Sequence, residues 1–304
     1  MRSPKSVIAK IKQSLTVISG INERFDAIGL NQGAILSRLN EQRFSKNLQD
    51  YEFRIFSQWG EDGILQHLTR TVDIKNKSFF EFGVENFFES NCRYLMMKDN
   101  WSGFVIDGSK QNIEALRKSY FYWRHDLMAV DAFITRENID ELLCRSGFAE
   151  DVGILSIDLD GNDYFVLEAV RSFKPRILVC EYNAVFGAQR KISVPYAADF
   201  VRSKGHYSQL YAGASLAAIC YLADRKGYSL VGTNSAGNNA FFVRNDLLND
   251  RLEVLSVEQA FRPSKFRESF DAEGQLSYLR GDDRLALIKG LSVLNVETQA
   301  TELI

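Results

Sequence analysis

The sequence has few cysteines and histidines, and their positions exclude two kinds of site. The four cysteines form no CxxC pair and no close group. This spacing argues against a disulfide framework and a cysteine-based zinc site, and it favours a reducing compartment. The three histidines are too scattered along the chain to suggest a zinc cluster.

Long apolar runs and a strong net charge are also missing. No stretch approaches the roughly 20 consecutive apolar residues of a membrane span, and no apolar segment with a cleavage site follows the first residues. We therefore expect a cytoplasmic protein, with peripheral membrane contact as an open alternative. The formal net charge of −2 gives no broad electrostatic footprint for nucleic acid. A chain of 304 residues can bury one full-sized core and carry an extension.

Residues 1–50 differ from the rest of the chain and are predicted to form a helical extension. Ile8, Ile11, Leu15 and Ile18 have the 3,4 spacing of an amphipathic helix. We expect one or two helices, interrupted near residues 29–33, where glycines occur. Such helices could pack on the domain itself, form a short coiled coil that makes a homo-oligomer, or lie against lipid.

From about residue 54, short apolar runs alternate with helical patterns. The runs are nearly continuous in apolar residues, which is typical of strands buried on both faces of a parallel sheet. They are Ser78–Gly83, Gly103–Asp107, Gly153–Asp158, Arg176–Glu181, Tyr228–Gly232 and Ala240–Arg244. The alternation predicts a doubly wound, Rossmann-type α/β sheet in residues 51–245, and the closeness of the last two runs predicts an antiparallel hairpin strand. We expect residues 246–304 to be a helical C-terminal extension.

Carboxylates stand at the ends of most of these predicted strands. They are Glu81, Glu85, Asp107, Asp158, Asp160 and Glu181. Ligands of open α/β sheets bind at the carboxyl ends of the strands. A single acid at such a place could equally cap the next helix, but acids at so many strand ends together indicate a site.

The segment around Gly83 favours a cofactor without phosphate. It lacks the full GxGxxG fingerprint of dinucleotide sites. A diphosphate is bound by glycine-rich backbone at a helix N-terminus, whereas Glu81 and Glu85 flank a single glycine here. Asp107 ends the next strand, where an acid accepts hydrogen bonds from a ribose diol.

Several motifs in a fixed order resemble one known family. The runs FFEFGVEN, GFVIDGS, ILSIDLDGNDYFVLEAV and RILVCEYN resemble those of FkbM-type S-adenosylmethionine-dependent methyltransferases. The upstream run FSQWGEDGI resembles a bacterial subgroup of that family. The resemblance covers roughly residues 52–245. It implies a class I methyltransferase sheet and S-adenosylmethionine as the cofactor.

The resemblance also implies which residues hold the methionine end of the cofactor. Glu81 and Gly83 would form the turn beneath it. Glu85 or Asn91 would lie near its amino or carboxylate group, and Gln58 would close over the cofactor from the upstream motif.

For the nucleoside end, the resemblance assigns Asp107 to the ribose hydroxyls. Asp131 would contact adenine, with Asp126 as the alternative. Asp126 directly precedes the apolar run at residues 127–130, and Asp131 directly follows it.

Methyl transfer would occur at the end of the fourth strand. The reaction is an in-line displacement from a sulfonium, so positioning contributes most of the acceleration. A hydroxyl acceptor needs a base or a metal to become nucleophilic. Asp158 and Asp160 are the predicted catalytic residues, and His206 is a further candidate base.

The same acids could instead hold a divalent cation. Asp158, Asp160, Glu181 and Asn183 offer the hard oxygen ligands that Mg²⁺ or Mn²⁺ prefers. Whether this is a metal site or a general-base site is left open by the residues. Asp163 is expected only to cap the helix that follows it.

We therefore predict an O-methyltransferase that acts on a sugar hydroxyl of a glycan or glycosylated metabolite. Tyr182, Tyr196, Tyr207 and Tyr211 suit the faces of a sugar, or ordinary packing. Two alternatives remain: an NAD-type oxidoreductase or nucleotide-sugar enzyme on the same fold, and a non-catalytic oligomeric scaffold with a degenerate methyltransferase domain.

Overall fold

The computed structural model describes residues 4–304, with side chains from residue 20 onward. The described helices are α1 (Pro4–Glu41), α2 (Glu61–Thr71), α3 (Arg93–Asp99), α4 (Lys110–Arg117), α5 (Ile139–Cys144), α6 (Asp163–Ala169), α7 (Arg202–Gly205), α8 (Leu216–Arg225), α9 (Val257–Ala260) and α10 (Asp282–Ile288). The described strands are β1 (Ser78–Phe82), β2 (Ser102–Asp107), β3 (Leu127–Asp131), β4 (Ile154–Ile157), β5 (Ile177–Glu181), β6 (Ile192–Ser193), β7 (Tyr228–Thr233), β8 (Asn239–Arg244), β9 (Ser292–Asn295) and β10 (Thr301–Leu303).

Seven strands form the central sheet, in the order β3-β2-β1-β4-β5-β8-β7. β1 to β5 pair in parallel, and β8 is antiparallel to both of its neighbours. This confirms the doubly wound α/β sheet with an antiparallel hairpin strand, and the strand order is that of a class I methyltransferase sheet. All six predicted strands occur within one residue of their predicted ends.

The strand that the sequence did not reveal is β3, at one edge of the sheet. Its side chains alternate between buried and more exposed, and Met128 is 46% exposed. Its apolar run, residues 127–130, is continuous but ends at the exposed Asp131, and it was not recognised as a strand.

The central strands are apolar throughout because helices cover both faces of the sheet. Successive side chains of a strand point to opposite faces. Phe80 belongs to the apolar layer that contains Leu142 of α5, and Phe79 belongs to the layer that contains Ile64 of α2. The carboxyl ends of β1, β2, β4 and β5 are left open between these two layers.

Helix α1 runs without interruption through Gly29 and Gly33, so the predicted break at residues 29–33 is wrong. The glycines allow close packing instead of a turn. A Cβ on Gly33 would come within 2.5 Å of the Tyr94 ring, and one on Gly29 within 3.0 Å of Ile55. For residues 20–41 the packing alternative is confirmed, and an ion pair between Asp26 and Arg93 fixes the helix to α3.

The predicted apolar stripe at the start of α1 cannot be compared with the structure. Ile8, Ile11, Leu15 and Ile18 lie outside the residues whose side chains are described. In the described part of the chain, no helix combines the length and apolar character needed to cross a bilayer.

The C-terminal segment is less helical than predicted. Besides α9 and α10 it contains β9 and β10, which form a small antiparallel sheet with β6 in the order β10-β9-β6. Val293 of β9 is buried in an apolar cluster with Ile192 of β6 and Ile288 of α10. Because β6 lies between β5 and α8 in the chain, this pairing fastens the C-terminal segment to the central domain.

Candidate active site

A cleft of about 660 Å³ opens at the carboxyl ends of β1, β2, β4 and β5. It brings together most of the predicted site residues, namely Gln58, Glu81, Gly83, Glu85, Asn91, Asp107, Asp158, Asp160 and Glu181. Three predicted residues, Asp131, Asn183 and His206, are not part of its lining. Acids at separate strand ends therefore converge, as expected for the edge of a parallel sheet.

Gly83 forms the floor of the cleft, where the ends of β1 and β4 touch. Its φ of +69° is in the left-handed region, and an added Cβ would lie 1.7 Å from the carbonyl oxygen of Asp158. The N–H of Gly83 donates to the carbonyl of Ile106 at 3.0 Å. Only glycine combines this backbone conformation with this contact, so the turn predicted at Gly83 is a steric requirement of the fold.

Glu81 is buried beneath the loop that enters α3. Its carboxylate accepts hydrogen bonds from the Ser90 hydroxyl at 2.7 Å and from the N–H groups of Asn91 at 2.7 Å and Cys92 at 3.1 Å. Burial raises the pKa of Glu81, and these hydrogen bonds oppose the rise. The Asn91 amide in turn donates to the Ser156 hydroxyl at 3.0 Å. Glu81 thus shapes one wall of the cleft by holding the protein's own backbone.

Asp107 fixes the opposite wall. One carboxylate oxygen accepts from the Glu85 N–H at 2.8 Å and the other from the Ser109 N–H at 2.7 Å. The side chain lies at the cleft surface and is 8% exposed. A carboxylate oxygen has more than one acceptor position, so Asp107 can still receive hydrogen bonds from a ligand in the cleft.

The adenine contact predicted for Asp131 is not supported by its position. Asp131 is exposed at the end of the edge strand β3 and lies outside the cleft lining. Asp126 is worse placed, because its carbonyl accepts from Gly103 at the amino end of β2. Phe133 and Ile134, a few residues beyond Asp131, line the cleft instead. Sequence reasoning stopped at the charged residue and missed the apolar pair.

The upstream FSQWGEDGI motif folds into a loop held by its own Asp62. One Asp62 carboxylate oxygen accepts from the N–H groups of Ile55, Phe56 and Ser57 at 2.6, 2.7 and 2.9 Å. Burial raises the pKa of Asp62 to about 6 against these hydrogen bonds. The motif residues therefore build the loop that carries Gln58.

Glu61 connects this loop to the β7–β8 hairpin. One of its carboxylate oxygens accepts from the Asn234 amide at 2.6 Å and from the Asn239 amide at 2.9 Å. The Asn238 amide donates to the Gln58 side chain at 3.4 Å. Gln58 is therefore held at the cleft from two sides.

Asp158 and Glu181 form the most strongly perturbed pair of acids in the cleft. Removal from bulk water raises the pKa of each well above its ordinary value, and the neighbouring acids raise it further. One carboxylate oxygen of Asp158 and one of Glu181 lie within 4.8 Å of each other. Ionising both carboxyls at this distance is costly, which favours one proton held between the two residues.

Asp163, rather than Asp160, completes this cluster. One carboxylate oxygen from each of Asp158, Asp163 and Glu181 lies within 4.8 Å of the others. Asp163 begins α6 and accepts from the N–H groups of Leu159 at 2.7 Å and Gly161 at 3.0 Å, so it closes the preceding turn as well.

Asp160, which the sequence predicted as a metal ligand, is not part of this cluster. Asp160 has a left-handed φ of 53°, which points its side chain away from the cluster to an ion pair with Arg202 at 2.6 Å. Arg202 is the one cation among the lining residues of the cleft in the described chain. No local sequence pattern predicted Arg202, because this residue belongs to the separate segment before α8.

Asn183 and His206 have local partners that draw them away from the cluster. The Asn183 oxygen accepts from the Val185 N–H at 3.0 Å, and its nitrogen donates to the carbonyls of Leu210 at 2.8 Å and Ala212 at 2.9 Å. The His206 ring lies 2.8 Å from the Ser208 hydroxyl, and burial lowers its pKa. Asn183 therefore holds a loop, and His206 is not placed as a base for the cleft.

Comparisons with known proteins give only distant likenesses. No protein-family model matches the chain, and no curated protein matches it. The SAH-bound N-terminal domain of EvdMO1 aligns with 9% identity and a TM-score of 0.41 over 62% of this chain and 80% of that one. An O-methyltransferase from Bacillus cereus, in complex with SAH, aligns with 11% identity and a TM-score of 0.40 over 70% and 88%.

A third solved structure, an S-adenosylmethionine-dependent methyltransferase from Clostridium acetobutylicum, aligns with 8% identity and a TM-score of 0.39 over 60% of this chain and 90% of that one. Likenesses at this level do not decide an activity. The strand order and the cleft of this chain are the features that bear on its function.

Proposed function

We propose that the protein is an S-adenosylmethionine-dependent O-methyltransferase of the FkbM type. One observation carries the proposal: Gly83, Asp107 and the Asp158–Glu181 pair line a single cleft at the carboxyl edge of the sheet. This arrangement supplies a close-packed turn, a ribose acceptor and a proton acceptor in one place. The helical extension, the domain of residues 51–245 and the C-terminal extension of residues 246–304 are the proposed domain division.

The cofactor would lie across the ends of β1 and β2. Its methionine end would occupy the space between Gly83, Asn91 and Gln58, and Glu85 would face its ammonium group. The ribose would bind Asp107. Phe133 and Ile134 take the adenine position in place of Asp131, because an apolar and aromatic surface suits a base.

The acceptor hydroxyl would approach the end of β4. Its oxygen forms a bond to the methyl carbon as the bond from carbon to sulfur breaks, which leaves S-adenosylhomocysteine. The hydroxyl proton passes to the Asp158–Glu181 pair. A carboxyl pair with raised pKa is a better base near neutral pH than an ordinary carboxylate, because its pKa is closer to the operating pH.

The proposal also includes assistance by a divalent metal ion. Asp158, Asp163 and Glu181 fit a hard cation, since three oxygens within 4.8 Å of one another match the carboxylate-rich sites of Mg²⁺ and Mn²⁺. A cation there would lower the pKa of the acceptor hydroxyl. Asp160 and Asn183 drop out of the predicted set, for the reasons given above.

A sugar hydroxyl remains the proposed acceptor, on the family resemblance and not on the tyrosines. Tyr182 donates to the Arg262 carbonyl at 2.9 Å, and Tyr211 bonds to Ser292. Tyr196 bonds to Glu137, and the exposed Tyr207 ring contacts that of His206 at a tilted angle. The hydroxyls of Tyr182, Tyr196 and Tyr211 are therefore committed to the protein's own structure.

A homo-oligomer through α1 is also proposed. Ile21, Phe25, Ile28, Ile35 and Leu39 are exposed and follow the 3,4 spacing with which two helices form a coiled coil. The occupant of this face would be α1 of a second copy. Light scattering after size-exclusion chromatography should give a dimer, and Phe25→Glu combined with Ile28→Lys should give a monomer with unchanged cofactor affinity. The cytoplasmic location likewise stays a prediction.

Calorimetric titration with S-adenosylhomocysteine, and separately with NAD⁺, tests the core of the proposal. We expect S-adenosylhomocysteine to bind and NAD⁺ not to bind. Incubation with S-adenosylmethionine and a panel of saccharides, followed by mass spectrometry, should show methylated sugar. EDTA should abolish turnover and Mg²⁺ or Mn²⁺ restore it. Turnover that survives EDTA would leave the acids as base alone, and tight NAD⁺ binding would overturn the proposal.

A further inference from the structure

A second cavity lies beside the cleft and has a strongly cationic lining. It has a volume of about 300 Å³ and is formed by the segment from Ser264 to Arg284. Its lining residues include four cations and no carboxylate, and the cations are Lys265, Arg267, Arg280 and Arg284. Asp282 and Asp283 follow along the chain but are exposed and do not line it.

Arg284 is the part of this cavity that ordinary packing does not explain. Its residue is only 6% exposed, and its Nε atom is buried without a hydrogen-bond partner. The other guanidinium nitrogens donate to the Ser264 hydroxyl at 3.0 Å and, at 3.4 Å, to the carbonyls of Phe266 and Glu268. A buried guanidinium without a paired carboxylate is expensive. Burial and the charge of Arg202 lower the pKa of Arg284, and the charge of Glu268 opposes this shift.

The other three cations are exposed and lack anionic partners. Among residues 20–304, none of Lys265, Arg267, Arg280 and Arg284 forms an ion pair. Most other arginines in the same range do pair with an acid. A concave group of unpaired cations attracts an anion of matching size.

The cationic cavity communicates with the cleft. Phe266 lines both. A narrow space of about 40 Å³ between them is lined by Ser264 and Arg284 on one side and by Asp160 and Glu181 on the other. A molecule whose hydroxyl lies at Glu181 can therefore extend past Phe266 and place a second group among the cations.

We propose that this cavity binds a diphosphate group carried by the acceptor. The inference deepens the proposed function, since it makes the acceptor a sugar linked to a diphosphate. S-Adenosylmethionine carries no phosphate, and none of the residues proposed to hold it lines this cavity. Arginine forks match phosphate oxygens in pairs, and Arg284 lines both this cavity and the narrow space next to Glu181.

The test is calorimetric titration of the full chain with pyrophosphate at fixed ionic strength. Wild-type protein should bind, and Arg280→Gln and Arg267→Gln should each weaken the affinity about tenfold, or about 1.4 kcal/mol. Both residues are exposed, so these variants should fold normally, whereas the folding of Arg284→Gln is checked by a thermal melt. Arg145→Gln is the matched control, because Arg145 is an exposed arginine at the C-terminal end of α5 that pairs with Glu141.

Two further ligands distinguish the source of the diphosphate. Uridine diphosphate that binds more tightly than pyrophosphate would indicate a nucleotide-linked sugar, and geranyl diphosphate that binds more tightly would indicate a lipid-linked one. Equal binding of all three leaves the diphosphate site intact. Absence of pyrophosphate binding, or equal losses in Arg145→Gln, would overturn the inference.

Titration of the same proteins with S-adenosylhomocysteine separates this inference from the proposed function. Pyrophosphate binding without S-adenosylhomocysteine binding would keep the cationic site and reject the methyltransferase. S-Adenosylhomocysteine binding without pyrophosphate binding would keep the methyltransferase and reject the cationic site. Arg280→Gln should leave the affinity for S-adenosylhomocysteine unchanged.

Discussion

Two pairs of acids stand at the same edge of the sheet, yet their surroundings differ. Glu81 and Asp107, at the ends of β1 and β2, accept backbone N–H donors with both carboxylate oxygens. Asp158 and Glu181, at the ends of β4 and β5, instead face each other and other acids. A carboxylate thus holds the backbone in place where N–H donors are plentiful, and it becomes a reactive group where such donors are scarce.

The largest effect should come from the reactive pair. Asp158→Asn keeps the shape of the side chain but removes the shared proton acceptor. We expect kcat to fall about 10²–10⁴-fold, the usual contribution of a general base, with the affinity for S-adenosylhomocysteine retained. Asp131→Asn is the control, because Asp131 is exposed at the end of β3 and does not line the cleft. Equal losses of kcat in the two variants would contradict a special role for the Asp158–Glu181 pair.

The same variant should be more stable than the wild type at alkaline pH. The folded chain keeps the Asp158 proton to a higher pH than the unfolded chain, where ionisation occurs near the ordinary pKa of 3.8. The folded state therefore binds more protons in that range, and stability falls as pH rises through it. Asn cannot ionise and escapes this loss. Thermal melts at pH 5 and pH 8 should show the gain mainly at pH 8.

The scaffold pair should affect binding rather than turnover chemistry. Asp107→Ala removes the ribose acceptor and frees two N–H groups of the cleft wall. Hydrogen bonds to a charged group contribute about 1.5–3 kcal/mol, so S-adenosylhomocysteine should bind roughly ten- to hundredfold more weakly in calorimetry. Affinity equal to that of the wild type would remove Asp107 from the cofactor site.

The smallest predicted effect is on folding stability. Glu81→Gln replaces an acceptor oxygen with an amide donor beneath the N–H groups of Asn91 and Cys92. A buried donor left without a partner costs about 1–3 kcal/mol, which urea unfolding can measure. Glu85→Gln is the matched control, since the Glu85 side chain accepts no backbone hydrogen bond in the described structure. A loss of stability in Glu85→Gln as large as that in Glu81→Gln would contradict the structural role of Glu81 as an acceptor of backbone hydrogen bonds.

The sequence was sufficient for six of the seven strands of the central sheet and for the acids at its edge, because both follow from local patterns. Buried strands are recognisable as apolar runs, and the residue that ends a strand is fixed by its number. The direction of a side chain in a loop is not local. Asp160 turns away because of one left-handed φ, and Arg202 comes from a distant segment, so neither Asp163 as the third acid of the cluster nor Arg202 at the cleft could be predicted.

The cationic cavity escaped prediction for a related reason. Apart from Arg284, which lies in α10, its residues come from a polar segment without strand or helix. Their meeting depends on backbone contacts such as that of the Lys265 N–H with the Ala236 carbonyl at 2.8 Å. Only the folded chain shows that Arg284 is buried while its neighbours are not.

The bond between Glu61 and the hairpin asparagines has a consequence for how the protein folds. It joins residues 173 and 178 positions apart in the chain, and contacts of such long range form late because loop closure costs entropy first. During synthesis, β1 to β5 leave the ribosome well before Asn239 does. Gln58 therefore reaches its place only when the last strands have paired. A chain interrupted earlier would contain the acids of the site, but the loop that carries Gln58 would not be held over them.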